Sequence, residues 1–247
     1  MKVQPYSTLR LAYTDSVRLE PDTDAAPDRA ALLLGSGTAL QFGLADGSLD
    51  FPSVAAPDTV RVNWYEGEKL LFTTFVVVVT RHYFELDQLK GMDETDDFSD
   101  VTEEGFWAAR QAATETFERN ANRSFVQQMG VTKTYRGGFV WLKHNDVCEI
   151  LTPGWRLVSD CQAVGPEGEA SIRYRYGLTE VPVRVSEAVL ALAAYYLRPQ
   201  ATPARATGEA TDAGFIRYTL AGRDGATGLP EVDAIIEQFG RRGCMVL

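Results

Sequence analysis

The 247 residues carry 34 acidic against 24 basic side chains, a formal charge of −10 at neutral pH. That balance argues against a protein that grips nucleic acid by neutralising phosphates, although DNA can slide past such a wall without sticking. A 45% hydrophobic and 23% charged composition is ordinary for a globular chain, and the length suffices for two domains.

Met1-Lys2 is followed by mixed polar sequence, so no export signal is expected. The most apolar run, Leu70–Val79, is ten residues, far short of the roughly 20 that a spanning helix needs. A soluble chain is expected. Cys148, Cys161 and Cys244 have neither metal-ligand nor CxxC spacing, and without an export signal they are read as reduced thiols.

From the start to about residue 82 the pattern predicts strands: Thr8–Tyr13, Val17–Glu20, Ala31–Leu34, Ala39–Leu44, Val60–Tyr65 and Leu70–Thr80. Turn formers such as Gly35-Ser36-Gly37, Asp46-Gly47 and Glu66-Gly67 separate them. The last two strands read as a hairpin, and Phe75–Val79 as a central strand covered on both faces. A small β-sandwich is expected. The acidic run Asp93–Asp97 with Asp100 reads as a solvated linker, because it lacks the Gly and terminal Glu of a calcium loop.

A helix should follow, started by Asp100 with Glu103, its apolar stripe running through Phe106, Ala109, Ala113, Phe117 and Ala121. Arg110, Glu115, Glu118 and Arg119 are placed on its other faces. Residues 125–178 then read as an all-β insertion, with a hairpin around Gly137-Gly138, strands at Trp155–Val158 and Ser171–Tyr176, and a turn at Gly165–Gly168. A second helix is expected over Pro182–Leu197, with Val185, Val189, Leu192, Ala193 and Tyr196 inward. A polar loop (200–214), a lone strand Phe215–Leu220 and a short helix opened by Pro230 complete the chain. The expected class is α+β: a β-sandwich over 1–82, then a helical bundle over 83–247 carrying a β-rich insertion at 125–178 and a tail at 240–247.

Little in this pattern speaks of chemistry. His82 and His144 belong to no nucleophile or metal motif. Gly35–Leu40 lacks the remaining residues of a phosphate loop and reads as a turn. Of the aromatic residues in the insertion, Tyr174 and Tyr176 share a face with Ile172, the arrangement of core residues rather than of a sugar platform. Cys244–Leu247 spells a prenylation box, but the better reading is a free apolar tail that enters a partner's groove or adds to its sheet edge. No catalytic, cofactor or metal site is expected.

Three stretches carry a resemblance: ARQAATETFERNANRSFV (109–126), SEAVLALAAYYLRP (186–199) and ARATGEATDAGFIRYTLAGRDGATGLPEVDAII (204–236). Over roughly 84–240 the chain resembles the head-to-tail adaptor (connector) proteins of tailed bacteriophages, especially those of actinobacterial hosts. The resemblance implies a virion protein with neither catalytic residues nor cofactor. It implies a ring, usually of twelve copies, that sits beneath the portal, hands the channel on to the stopper or tail terminator, and lets packaged double-stranded DNA through its lumen. It further implies a portal-contacting tail, here Arg241, Arg242, Cys244, Met245, Val246 and Leu247, and a neighbour contact at Phe215, Ile216, Tyr218 and Leu220. The N-terminal β-region is an addition to a simple adaptor. The alternatives are another neck protein, a stopper or tail terminator, or a β-sandwich module that captures carbohydrate or a host surface through Trp64 or Trp155. A hydrolase ranks last, since no nucleophile–base pair is spelled out.

Overall fold

A computed structural model describes residues 1–92, 98–198 and 227–241, with the backbone of Gly208–Thr211 and Gly214–Arg217. The acidic run Asp93–Asp97, read as a linker, lies outside the described residues. The class is α+β, strand-rich at the N-terminus and helical in the middle and C-terminal parts. The chain divides into two compact units, Met1–His82 with Ser124–Glu180, and Tyr83–Arg123 with Val181–Leu247.

The first unit opens with β1 (Lys2–Val3), β2 (Thr8–Ala12), β3 (Arg18–Pro21), β4 (Arg29–Leu33), β5 (Ala39–Gly43), β6 (Leu49–Asp50), β7 (Asp58–Glu66) and β8 (Lys69–Val79). They form a five-stranded sheet in the order β2-β8-β7-β4-β5 and a three-stranded sheet in the order β1-β3-β6. The pairs β2/β8 and β1/β3 are parallel, and the remainder antiparallel. The β7–β8 hairpin turns at Gly67, whose φ of +57° suits glycine, and sets Trp64 opposite Phe72 with their rings stacked at 5.8 Å.

Alternation explains the core of this sheet. Val60, Val62 and Trp64 of β7, Val76 and Val78 of β8, and Ala30 and Leu32 of β4 are buried, whereas Arg61 between them is exposed. On β8 the reading of two covered faces holds in part. Val76, Val78 and Val79 are buried, while Phe75 and Val77 are half-buried. The two-residue strands β1 and β6 have too few positions to alternate, so no pattern announces them.

The same unit contains β9 (Gln128–Thr134), β10 (Gly137–Trp141), β11 (Val147–Ile150), β12 (Arg156–Ser159), β13 (Gln162–Glu167) and β14 (Ala170–Tyr176). They build two three-stranded sheets, β11-β14-β9 and β10-β13-β12. The hairpin expected around Gly137-Gly138 does not form. β9 pairs with β14 and β10 with β13, so the chain changes sheet between them. Both glycines do adopt positive φ, 67° and 69°. A Cβ on Gly137 would strike the backbone of Pro166 and Glu167. Packing against the β13–β14 turn, and not a tight hairpin, explains that glycine. The predicted turn at Gly165–Gly168 is also displaced, because β13 continues through Glu167. Val140, Leu142, Val147, Trp155, Ala163, Ile172 and Tyr174 fill the core between these strands.

The second unit holds α1 (Leu86–Lys90), α2 (Glu103–Ala121), α3 (Val183–Leu197) and α4 (Pro230–Phe239). α2 is capped by Thr102, whose hydroxyl accepts the Gly105 N–H at 3.2 Å, so the cap is not Asp100. Its predicted stripe is buried throughout, and Arg110 joins it at 4% exposure instead of facing solvent. The Arg110 guanidinium lies 4.2 Å from the Trp107 ring centre. On α3, Val185, Val189, Leu192 and Ala193 are buried as predicted, but Tyr196 is 39% exposed. The alanines of α2 and α3 let the two helices pack on each other, and α4 packs on both. Ser186 of α3 donates to the Tyr83 carbonyl at 2.7 Å, and the Tyr83 hydroxyl donates to Glu118 of α2 at 2.7 Å. Pro230 occupies the first turn of α4, and the Thr227 hydroxyl donates to Asp233 at 2.9 Å.

Residues 214–217 are not a lone strand. β16 (Gly214–Arg217) pairs antiparallel with β15 (Gly208–Thr211), inside the segment expected to be a polar loop.

Candidate interaction surfaces

The polar constellations of the first unit hold structure together. His82 Nε2 lies 2.7 Å from Asp15 Oδ2, which also accepts the Ala12 N–H at 2.7 Å. Since Ala12 of β2 pairs with Val79 of β8, this cluster ties two neighbouring strand ends. His144 stacks on Tyr176 at 3.9 Å and places Nδ1 2.8 Å from the Tyr174 hydroxyl, which also reaches Thr132 at 3.0 Å. Burial raises the Tyr174 phenol above its ordinary range, against the pull of the Thr132 hydroxyl. A neutral phenol linking a histidine, a threonine and an aromatic stack is a core network.

Asp58 has a similar office. Its Oδ1 accepts the Gly35 N–H at 3.0 Å and the Thr59 N–H at 2.7 Å. Burial raises its carboxyl, opposed by those two amides and by the charge of Arg173. Gly35 is needed because a Cβ there would collide with the Asp58 carboxylate, so the Gly35–Gly37 turn is a structural one. Among the described residues no three His, Cys, Asp or Glu side chains stand close enough to hold a metal. Nor is any described helix long and apolar enough to cross a membrane. Cys148 and Cys161 are thiols not joined in a disulfide, and burial raises that of Cys148 above its usual range. An open cleft near β3 is lined by Arg18, Glu20, Asp28, Asp46 and Ser48, and its cation, Arg18, is already paired with Asp46.

A surface feature stands out instead. Along β10, Val140 points into the core at 9% exposure, while Phe139 and Trp141 point outward at 55% and 39%. Their rings meet edge to face at 6.1 Å. Tyr135, at 76%, precedes them at the sheet-switching corner, and Val158 of β12 is exposed at 51%. β10 is an outer strand of its sheet. Leu142 donates its N–H to Cys161 at 2.8 Å, and Val140 stands opposite Ala163. By the alternation of an antiparallel ladder, Phe139 and Trp141 then turn their own N–H and C=O to the open side. The insertion's aromatic residues therefore divide: Trp155 and Tyr174 are core, Tyr176 is half-buried, and Trp141 faces out. The signal was present in the sequence, since Val140 between two aromatics requires that they share the opposite face.

The residues singled out from the sequence fall elsewhere. Phe215 and Ile216 lie in β16, while Tyr218 and Leu220 are outside the described residues. Of the tail, Arg241 donates its backbone N–H to Ala121 at 2.8 Å, and the Gly240 N–H caps α4 on Ile236 at 2.7 Å. The tail therefore leaves from a fixed point at the end of α2, where Arg123 also donates to the Phe239 carbonyl at 3.1 Å. Arg242, Cys244, Met245, Val246 and Leu247 lie outside the described residues. The two tryptophans on which a carbohydrate module would depend are core residues, Trp64 at 0% and Trp155 at 8% exposure.

No family model matches this chain, and no curated protein matches it. Among solved structures, it is similar to a chain in the neck of an empty GTA particle computed with C6 symmetry. That likeness covers 50% of this chain and 82% of the other, at 17% identity and a TM-score of 0.38.

Proposed function

We propose that this chain is a structural component of a phage-type virion neck, a head-to-tail adaptor acting through contact and not catalysis. The observation that carries the reading is the way the second unit is made. Helices on either side of a β-insertion, α2 before it and α3 with α4 after it, pack together as one helical unit. That is the helix–insertion–helix order which the adaptor resemblance of residues 84–240 implies. In this reading about twelve copies close a ring under the portal and continue the channel to the stopper or tail terminator. The net charge of −10 suits a lumen through which DNA passes without adhesion. A ring of identical head-to-tail contacts closes on itself and so limits growth.

Residues 242–247 are the proposed portal contact, held at their root by the Arg241 N–H on Ala121. Removing them leaves every described element of the fold in place. The truncated chain is expected to keep its circular dichroism spectrum and melting temperature and to lose co-sedimentation with portal rings. Imaging of the intact particle tests the function itself. Density for this chain between capsid vertex and tail is expected, and a neck without it overturns the reading.

A further inference from the structure

We propose that the open edge of β10 pairs with the β10 of a second copy, antiparallel about a two-fold axis at Val140, and joins the two β10-β13-β12 sheets into one. The contact stands apart from the neck reading, since it belongs to the chain before it enters an assembly. β10 is Gly-Gly-Phe-Val-Trp, without the lysine or proline that natural proteins use to blunt an exposed edge. The far edge of the same sheet is not equivalent. β12 has β11 beside it, and the Val147 N–H of β11 donates to the Asp160 carbonyl at 2.9 Å, just past the end of β12.

The β10 edge is complementary to itself. Phe139 and Trp141 turn their backbone groups to the open side, as the pairing of Val140 with Ala163 requires. With Val140 on the axis, Phe139 of each copy stands opposite Trp141 of the other, and each such pair exchanges both of its N–H···O=C bonds. Every outward backbone group of these residues is then satisfied at once. A register shifted by one residue would set them against groups already bonded to β13. Both rings project from the face opposite buried Val140. The exposed Phe139 and Trp141, at 55% and 39%, therefore come ring against ring across the axis.

The charges at the strand ends select a second copy as the partner. In this register Lys143 of one copy faces Gly137 of the other, and Gly137 is paired within its own sheet to Glu167. Glycine puts no side chain in the way, so the lysine stem can cross it to the Glu167 carboxylate. Lys143 and Glu167 are both exposed, and neither takes part in an ion pair among the described residues. The axis makes this contact twice, and opposite charges that meet at both ends fix partner and register together. Two-fold pairing uses up both edges, so association stops at two copies.

Sedimentation velocity of the full chain at low ionic strength, from micromolar to submillimolar concentration, is expected to show a reversible dimer and nothing larger. Trp141→Lys should weaken it at least about tenfold by blunting the edge. Lys143→Glu and Glu167→Lys should each weaken it about tenfold, because each acts on both symmetric contacts. Mixing these two should give a mixed dimer of wild-type strength, since each contact again joins a lysine to a glutamate. At concentrations where all are monomeric, the two charge variants should keep the wild-type melting temperature. A chain that stays monomeric throughout, a species larger than two, unaltered association of any variant, or a mixture no tighter than its components overturns the edge pairing. Imaging of the intact particle tests the neck reading separately, and none of these outcomes decides it.

Discussion

Replacing Asp58 separates its two jobs, accepting hydrogen bonds and carrying charge. The side chain is 6% exposed, and one oxygen, Oδ1, accepts both the Gly35 and Thr59 amides. Asp58→Ala leaves two N–H groups without their acceptor, each worth about 1–3 kcal/mol when buried. Relief of a buried charge offsets part of this, so a net loss of about 1–3 kcal/mol is expected at neutral pH. Asp58→Asn retains the acceptor and removes the titration. Because the folded carboxyl titrates above the unfolded one, the folded protein binds more protons over the window between the two. Wild-type stability therefore falls as pH rises from about 4, the unfolded value, and levels off above the folded one. Urea titrations from pH 3.5 to 7.5 should show Asp58→Asn gaining on the wild type across that window and running parallel above it. A pH-independent difference, or one of opposite sign, refutes the burial argument, and equal stability of the Ala and Asn variants refutes the acceptor role.

Thr74→Val keeps the shape of the side chain but leaves the Trp64 indole N–H, now 3.1 Å from the Thr74 hydroxyl, without an acceptor at a fully buried site. A loss of about 1–3 kcal/mol in chemical denaturation is expected. Gly177→Ala places a Cβ against the Val126 carbonyl at a φ of +95°. It should cost at least about 2 kcal/mol and lower the melting temperature accordingly. Thr102→Ala removes the α2 cap and should cost about 0.5–2 kcal/mol, rescued largely by Thr102→Asp.

The legible parts of this chain are those governed by local period. The stripe from Phe106 to Ala121 and the alternation Ile172-Arg173-Tyr174 reach the core as their spacing demands. Arg110 sits four residues after Phe106 and three before Ala113, so the same spacing places it on the buried face. Its charge argued otherwise, and in the fold the Trp107 ring lies over its guanidinium. The Gly137-Gly138 pair misled for a different reason. Turn chemistry is local, but strand partners are settled by distant register, here Thr134 with Ala170 and Gly137 with Glu167. Trp141 stands two from Phe139, so alternation puts both on the face opposite Val140, but only the fold shows that this face is the outer one. Of the residues drawn from the adaptor resemblance, Phe215, Ile216 and Arg241 lie in described backbone and the others do not.

Because the β unit interrupts the helical one, birth order on the ribosome matters. α1 and α2 emerge first, with Tyr83 beside Phe117 and Phe98 beside Phe106, but α3 and α4, which pack on α2, lie beyond the 57 residues of Ser124–Glu180. At 5–20 residues per second that delay is roughly 3–11 s. For those seconds a nascent amphipathic helix waits with part of its oily side uncovered, and chaperones are the natural custodians of the interval.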